Sequence, residues 1–141
     1  MKSYVAVCVG IALAGFGCEN TERTEAESLI QAVSRFRLSK DHDRGALVKA
    51  IEDTKATGKE IAAAKAECLN AARTVTSGET LIATIEADNQ KIAPDAGAEA
   101  DSERERLLTK LDEASAALKA GKESNEKCEA LLAPLRAKYR R

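Results

Sequence analysis

The fold is decided by residues 102–139, SERERLLTKLDEASAALKAGKESNEKCEALLAPLRAKY, in which small and apolar residues recur at alternating steps of four and three. This spacing is typical of an α-helix with one coiled-coil seam. The stretch therefore predicts a long helix, helix C, over about 102–139. Its seam positions are Leu107, Leu111, Ala114, Leu118, Gly121, Asn125, Cys128, Leu132 and Leu135.

An upstream stretch has the same alternation and can supply the partner helix, because two seams of one period can pack together. Its positions are Ile61, Ala64, Cys68, Ala71, Val75, Gly78, Ile82, Ile85, Asn89 and Ile92. An antiparallel register that sets Cys68 opposite Cys128 places large residues against small ones along much of the seam. The other facing pairs are Val75 with Gly121, Gly78 with Leu118, Ile82 with Ala114, and Ile85 with Leu111.

The register puts the middle of the turn at Ala98, and the sequence breaks there. Residues 94–97, Pro-Asp-Ala-Gly, stop one helix, and Ser102-x-x-Glu105 matches a capping box for the next. The carboxylates of this loop lack the spacing of a calcium-binding loop, so they predict solvated charge. We therefore expect helix B over about 43–93, a loop over 94–101, and then helix C.

A shorter helix A is expected over about 21–39, with Thr24-x-x-Glu27 as its capping box. Its apolar face consists of Ala26, Leu29, Ile30, Val33 and Phe36. Helix B, if continuous, would be about 75 Å long, with Ser77-Gly78 as its weak point. The predicted fold is all-α: an elongated, coiled-coil-like antiparallel hairpin with a short third N-terminal helix.

Composition excludes several classes of function. The 141 residues include 3 % aromatic residues and no Trp, which leaves little to line a deep pocket or to stack on bases. A net charge of −1 offers no large basic field, so we expect no nucleic-acid partner. The one His, His42, lies in a polar turn with no nucleophile nearby in sequence. The sequence therefore predicts no enzyme, no catalytic residue, no metal and no cofactor.

The first residues form an export segment. Lys2 is followed by an apolar run that ends at Gly17-Cys18, after which the chain is abruptly polar. This pattern is typical of a secretory signal, and the run is shorter than the roughly twenty residues that span a bilayer.

A small residue directly before the cysteine resembles the lipobox of bacterial lipoproteins. The resemblance implies a signal peptide over 1–17 and a lipid-modified Cys18 as the first residue of a mature domain, 18–141. Ordinary cleavage at Ala12-Leu13-Ala14 is the alternative, and it would give a secreted, soluble helical protein.

The cysteines separate into three uses. Removal of the signal discards Cys8, lipidation consumes Cys18, and Cys68 and Cys128 are left as an even pair on matching seams. No C-x-x-C spacing supports a metal site. Because exported proteins meet oxidising conditions, we expect a disulfide between Cys68 and Cys128.

The last five residues, Ala137-Lys138-Tyr139-Arg140-Arg141, are similar to the end of the murein lipoprotein of Gram-negative bacteria, whose terminal lysine is joined to peptidoglycan. Arg141 stands in the place of that lysine, so the resemblance implies only attraction of a basic tail to an anionic wall or membrane.

The predicted function is that of a lipid-anchored spacer or protein-interaction module of the bacterial envelope, facing the periplasm and favouring the outer membrane over the inner. The alternative is a peptidoglycan-associated tether. Expected partners are the membrane and either an envelope protein or peptidoglycan. The sequence does not decide the oligomeric state, because four leucines beside the seam can pack either on helix A or on another copy of the chain. These are Leu69, Leu81, Leu108 and Leu131.

Overall fold

The computed structural model describes residues 16–39, 44–92 and 97–139, which form helices without any strand. The predicted all-α class is therefore confirmed. His42, Pro94, Arg140 and Arg141 lie outside the described residues, as does the export segment up to residue 15. The four helices are α1 (Phe16–Leu38), α2 (Arg44–Glu52), α3 (Lys59–Asn89) and α4 (Gly97–Tyr139).

Helices α3 and α4 form the predicted antiparallel hairpin in the predicted register. A Cβ built on Gly121 would lie 2.7 Å from Val75 Cγ2, and one built on Gly78 would lie 2.9 Å from Leu118 Cγ. Both positions therefore require glycine, because a large side chain of the opposite helix occupies the space that a Cβ would need. Lys110 Nζ also pairs with Asp88 Oδ2 at 3.2 Å, which continues the same register toward the tip of the hairpin.

Cys68 and Cys128 are joined by a disulfide with an S–S distance of 1.99 Å. Both residues are buried, with 2 % and 1 % of their surface exposed, so the bond lies inside the core. The disulfide fixes which residues of α3 and α4 face each other at this point of the seam, and Val75 and Gly121 face each other in the same register.

Helices α1 and α2 pack on one side of the hairpin and complete an up-down-up-down bundle. The two ends of α1 show that it runs antiparallel to α4: Glu22 contacts Tyr139, and Arg37 contacts Asn125. Arg44 at the start of α2 pairs with Glu79 at 3.1 Å. We call this four-helix part, residues 16–39 and 44–79 together with 121–139, the base. Its core includes Ala26, Leu29, Val33, Phe36, Ile51, Ile61, Leu132, Leu135 and Tyr139.

The expectation of one continuous helix B was wrong, because residues 53–58 separate α2 from α3. Side chains satisfy the backbone groups that the break leaves free. Thr54 Oγ1 donates to the Ile51 carbonyl at 2.7 Å, and Lys65 Nζ donates to the Thr54 carbonyl at 2.6 Å. The buried carboxylate of Glu25 accepts the Thr57 N–H at 2.7 Å. These hydrogen bonds favour a break between the two helices over a continuous helix, because they satisfy the backbone groups at the break. After the break, α3 continues without interruption through Gly78.

Two predicted helix starts were too late. α1 begins at Phe16, and Thr24 Oγ1 donates to the Asn20 carbonyl inside the helix instead of capping it. α4 begins at Gly97, whose φ of +58° suits glycine, so Ser102 lies inside the helix. Pro134 does not end α4, which continues to Tyr139. Leu132 and Leu135, on either side of the proline, are both buried.

The hairpin extends beyond the base as an arm, which comprises residues 80–89 of α3, the turn residues 90–92, and residues 97–120 of α4. Its buried positions are seam residues of α4, Ala100, Leu107 and Ala114. At 1.5 Å per residue, the α4 part of the arm is about 36 Å long. The molecule is thus a compact base that carries a two-helix extension.

We expect replacement of both Cys68 and Cys128 by Ala to lower the free energy of unfolding by about 4 kcal/mol, because the disulfide closes a loop of 60 residues. Thermal unfolding of the wild type should show a melting temperature about 10 °C lower in reductant. The double variant serves as control and should not respond to reductant. A dimer-sized band that collapses on reduction would contradict the intrachain bond.

Gly121→Ala is expected to destabilise the protein by about 1–3 kcal/mol through overpacking, since the new Cβ would lie 3.2 Å from the Val75 backbone nitrogen as well as against its side chain. Gly45→Ala in α2 is the matched control, because no atom lies within 4 Å of its Cβ position. That variant should instead gain up to about 1 kcal/mol from helix propensity. Chemical denaturation measures both, and a Gly121→Ala variant as stable as wild type would contradict the close approach.

Candidate functional site

The start of α1 and the end of α4 meet at the bottom of the base. Glu22 lies one turn after Cys18 on α1, and its carboxylate accepts a hydrogen bond from the Tyr139 hydroxyl at 3.1 Å. Lys138 Nζ lies 4.0 Å from the same carboxylate. The backbone of Cys18, the predicted lipidation site, is therefore held within a turn of the C-terminal end of α4.

Lys138 is the centre of the charge cluster at this end. Its Nζ lies 5.0 Å from the centre of the Tyr139 ring and 3.8 Å from the carboxylate of Glu60. Its contact with Tyr139, followed by the carboxylates of Glu60 and Glu22, raises the pKa of Lys138. The ammonium group is thus positive at all physiological pH values and ties α1, α3 and α4 together.

A groove of about 860 Å³ runs along α1 beside the end of α4. Two of its hydroxyls are used by their own helix, since Thr24 donates to Asn20 and Ser34 donates to Ile30. Arg136 on its wall is held by Glu129 at 2.6 Å. The groove is polar and shallow, and it suits a hydrated surface better than an apolar ligand. Its lining consists of Thr24, Glu27, Ser28, Ile30, Gln31, Ser34, Arg136 and Tyr139.

Arg37 connects α1 to α4 beside the disulfide. Its Nη2 donates to Asn125 Oδ1 at 2.7 Å and lies 3.4 Å from Cys128 Sγ, while its Nη1 pairs with Glu129. Burial, and then the positive charge of Arg136, lowers the pKa of Arg37. Because Glu129 also holds Arg136, the two arginines share one carboxylate at this crossing.

The described ranges were predicted to lack a metal site. They hold no cluster of three or more His, Cys, Asp or Glu side chains that could bind a metal ion. In the same part of the chain, no helix combines the length and apolar character needed to cross a membrane.

The structure brings together some predicted residues and adds others that the sequence did not reveal. Cys68 and Cys128, which were predicted to pair, are bonded. Asn125, predicted as a seam residue, accepts a hydrogen bond from Arg37. Neither Arg37 nor Glu22 could be identified in advance, because each acts across a helix contact that no local spacing encodes.

Arg37→Ala is expected to loosen α1 from the hairpin by about 1–3 kcal/mol, because Asn125 loses its donor in a part-buried site. Arg35→Ala is the matched control, since Arg35 is exposed in the same last turn of α1. Hydrogen exchange should show faster opening of α1 amides in the Arg37 variant, with little change in the centre of α3. Equal exchange in the two variants would contradict the proposed role of Arg37.

Comparisons of the chain with protein-family models, with curated proteins and with solved structures find no match.

Proposed function

We propose that this protein is a lipid-anchored spacer of the bacterial envelope, held at the membrane through Cys18 and extending its hairpin away from it. The apolar segment that ends in Gly17-Cys18 motivates the anchor. Such a protein works by shape and position and needs no catalytic group.

The observation that carries the proposal is the position of Cys18 at the bottom of the base. α1 is helical from Phe16, so no flexible tether separates Cys18 from the bundle. The Glu22–Tyr139 hydrogen bond and the Glu22–Lys138 ion pair fix that end of α1 to α4. An acyl group on Cys18 would therefore hold the base itself at the lipid surface.

The length of α4 supports a spacer role. α4 has 43 residues and ends beside the anchor, so its other end lies about 64 Å away. The hairpin tip is thus the part of the chain farthest from the anchored end. The disulfide and the close packing at Gly78 and Gly121 hold the helix pair together where the base meets the arm.

Lys138 and Arg136 bring positive charge to the anchored end, but both are paired with carboxylates. This pairing leaves the acyl chains as the main source of membrane affinity. A single acyl chain gives marginal binding, whereas several give stable anchoring. The proposal therefore requires the multiple acylation that the lipobox resemblance implies.

Cys18→Ser is expected to move the full chain from the membrane fraction to the soluble fraction, because it removes the acceptor of the acyl groups. Cys8→Ser is the matched control, since Cys8 lies in the segment that processing would remove, and this variant should stay in the membrane fraction. Mass spectrometry of the wild-type N-terminal peptide should find an acylated Cys18 as its first residue.

A chain that begins at Gly15 with a free Cys18 thiol would contradict the proposal. Retention in the insoluble wall fraction after boiling in detergent would instead support a peptidoglycan tether. The two fractionation results are distinguishable, because acyl anchors are extracted by detergent and wall attachment is not.

A further inference from the structure

The two sulfur atoms of the disulfide lie in different electrostatic surroundings. Arg37, in the last turn of α1, has its Nη2 3.4 Å from Cys128 Sγ, and the same nitrogen donates to Asn125 Oδ1 at 2.7 Å. Within the described part of the chain, no cationic group forms a hydrogen bond with Cys68 Sγ. One half of the bond therefore has a guanidinium group against it and the other half has none.

The charge around Cys128 is not balanced. Glu129 pairs with both Arg37 and Arg136, so one carboxylate faces two guanidinium groups. Burial, followed by the charge of Arg136, lowers the pKa of Arg37. A further negative charge at this crossing would be stabilised by its cationic neighbours. Cys128 Sγ can carry that charge, because a cysteine sulfur becomes a thiolate when its disulfide is broken.

The cations of the other two helices of the base are held away from the disulfide. Lys65, three residues before Cys68 on α3, donates to the Thr54 carbonyl at 2.6 Å. Further cations of α2 and α3 pair with carboxylates, in Arg73–Glu52, Arg44–Glu79 and Lys49–Asp53. Arg37 is thus the cation that the fold places against a sulfur of this bond.

We infer that the Cys68–Cys128 bond is a polarised site of thiol–disulfide exchange, at which an external thiol attacks Cys68 and Arg37 stabilises Cys128 as the departing thiolate. In the transition state of such an exchange, the negative charge lies mainly on the two outer sulfur atoms. Attack at Cys68 makes Cys128 Sγ an outer sulfur, whereas attack at Cys128 makes it the central one. A positive group already in place beside Cys128 therefore favours attack at Cys68.

The exchange consumes two external thiols. The first thiolate forms a bond to Cys68 Sγ, the bond between Cys68 and Cys128 breaks, and its electron pair stays on Cys128 Sγ. A second external thiolate then attacks the external sulfur of this mixed disulfide and releases Cys68 as a thiolate, which takes up a proton. The two external thiols are thus oxidised to a disulfide, and the bond in the protein is reduced.

Both cysteines are buried, so the exchange requires a local opening of the base. The contacts of Arg37 near the disulfide are all with α4, at Asn125, Cys128 and Glu129. An opening of α2 or α3 therefore leaves the guanidinium group beside Cys128. Completed exchange removes the covalent lock between α3 and α4, so it loosens the register of the hairpin in the base.

The test uses the full chain in its oxidised, folded form, with reduced glutathione as the external thiol. The reaction is stopped early with acid, and free thiols are then trapped with N-ethylmaleimide. Mass spectrometry of the tryptic peptides 66–73 and 128–136 shows which of Cys68 and Cys128 carries glutathione. The peptides of the other cysteines are read separately, so neither Cys8 nor Cys18 disturbs the result.

We expect glutathione on Cys68 about threefold to tenfold more often than on Cys128, because a neighbouring cation lowers the pKa of the departing thiol and a departing thiol of lower pKa leaves faster. Arg37→Met should bring the ratio close to one. Val33→Ala is the matched control, since it removes buried apolar contacts of α1 but keeps the guanidinium group. That variant should retain the preference for Cys68.

Three results would overturn the proposal. Equal labelling of the two cysteines in the wild type is the result that an unfolded chain gives, and it would mean that Arg37 does not polarise the bond. A ratio near one in Val33→Ala would mean that the packing of α1, and not the charge of Arg37, sets the preference. A disulfide that glutathione does not attack in the folded chain would mean that it is purely structural. None of these results depends on lipidation of Cys18, so they are separate from a failure of the anchor proposal.

Discussion

The antiparallel register of α3 and α4 is the constraint on which the rest of the molecule depends. It is set where each of two glycines receives a large side chain from the opposite helix, at Gly78 and at Gly121, and it is locked by the Cys68–Cys128 disulfide. A seam rich in alanine buries little apolar area, so hydrophobic burial alone would hold such a pair weakly. Covalent closure and close steric fit compensate for this thin core.

The base and the arm differ in how they bury the same hairpin. In the base, α1 and α2 add Leu29, Phe36 and Ile51 to the core that the seam begins. In the arm, Ala100, Leu107 and Ala114 are buried, whereas Leu108 and the seam residue Leu111 are exposed. One helix pair thus provides a stable core at one end and an open surface at the other.

The polar contacts between α1 and α4 lie near the two ends of α1. Glu22 and Lys138 join its start to α4, while Arg37 joins its end to Asn125 and Glu129. The first of these contacts is at the end that carries Cys18, so the same side chains that position α1 also orient the proposed anchor. Fold and proposed function therefore share residues.

The sequence by itself determined the all-α class, the hairpin and its register, because the period of the seam and the pairing of large with small residues are local properties that repeat along the chain. It also identified Cys68 and Cys128 as a pair, since their seam positions coincide. Only the tertiary structure decided that α2 and α3 are separate helices. At this break the Thr57 N–H donates to Glu25 of α1. The hydrophobic pattern of residues 43–93 cannot predict this bond, because Glu25 lies in another helix. The tertiary structure likewise decided which part of the hairpin α1 packs against. α1 contacts the end of α4 from Asn125 to Tyr139 and does not extend along the arm, because the position of one helix on another depends on how their side chains pack.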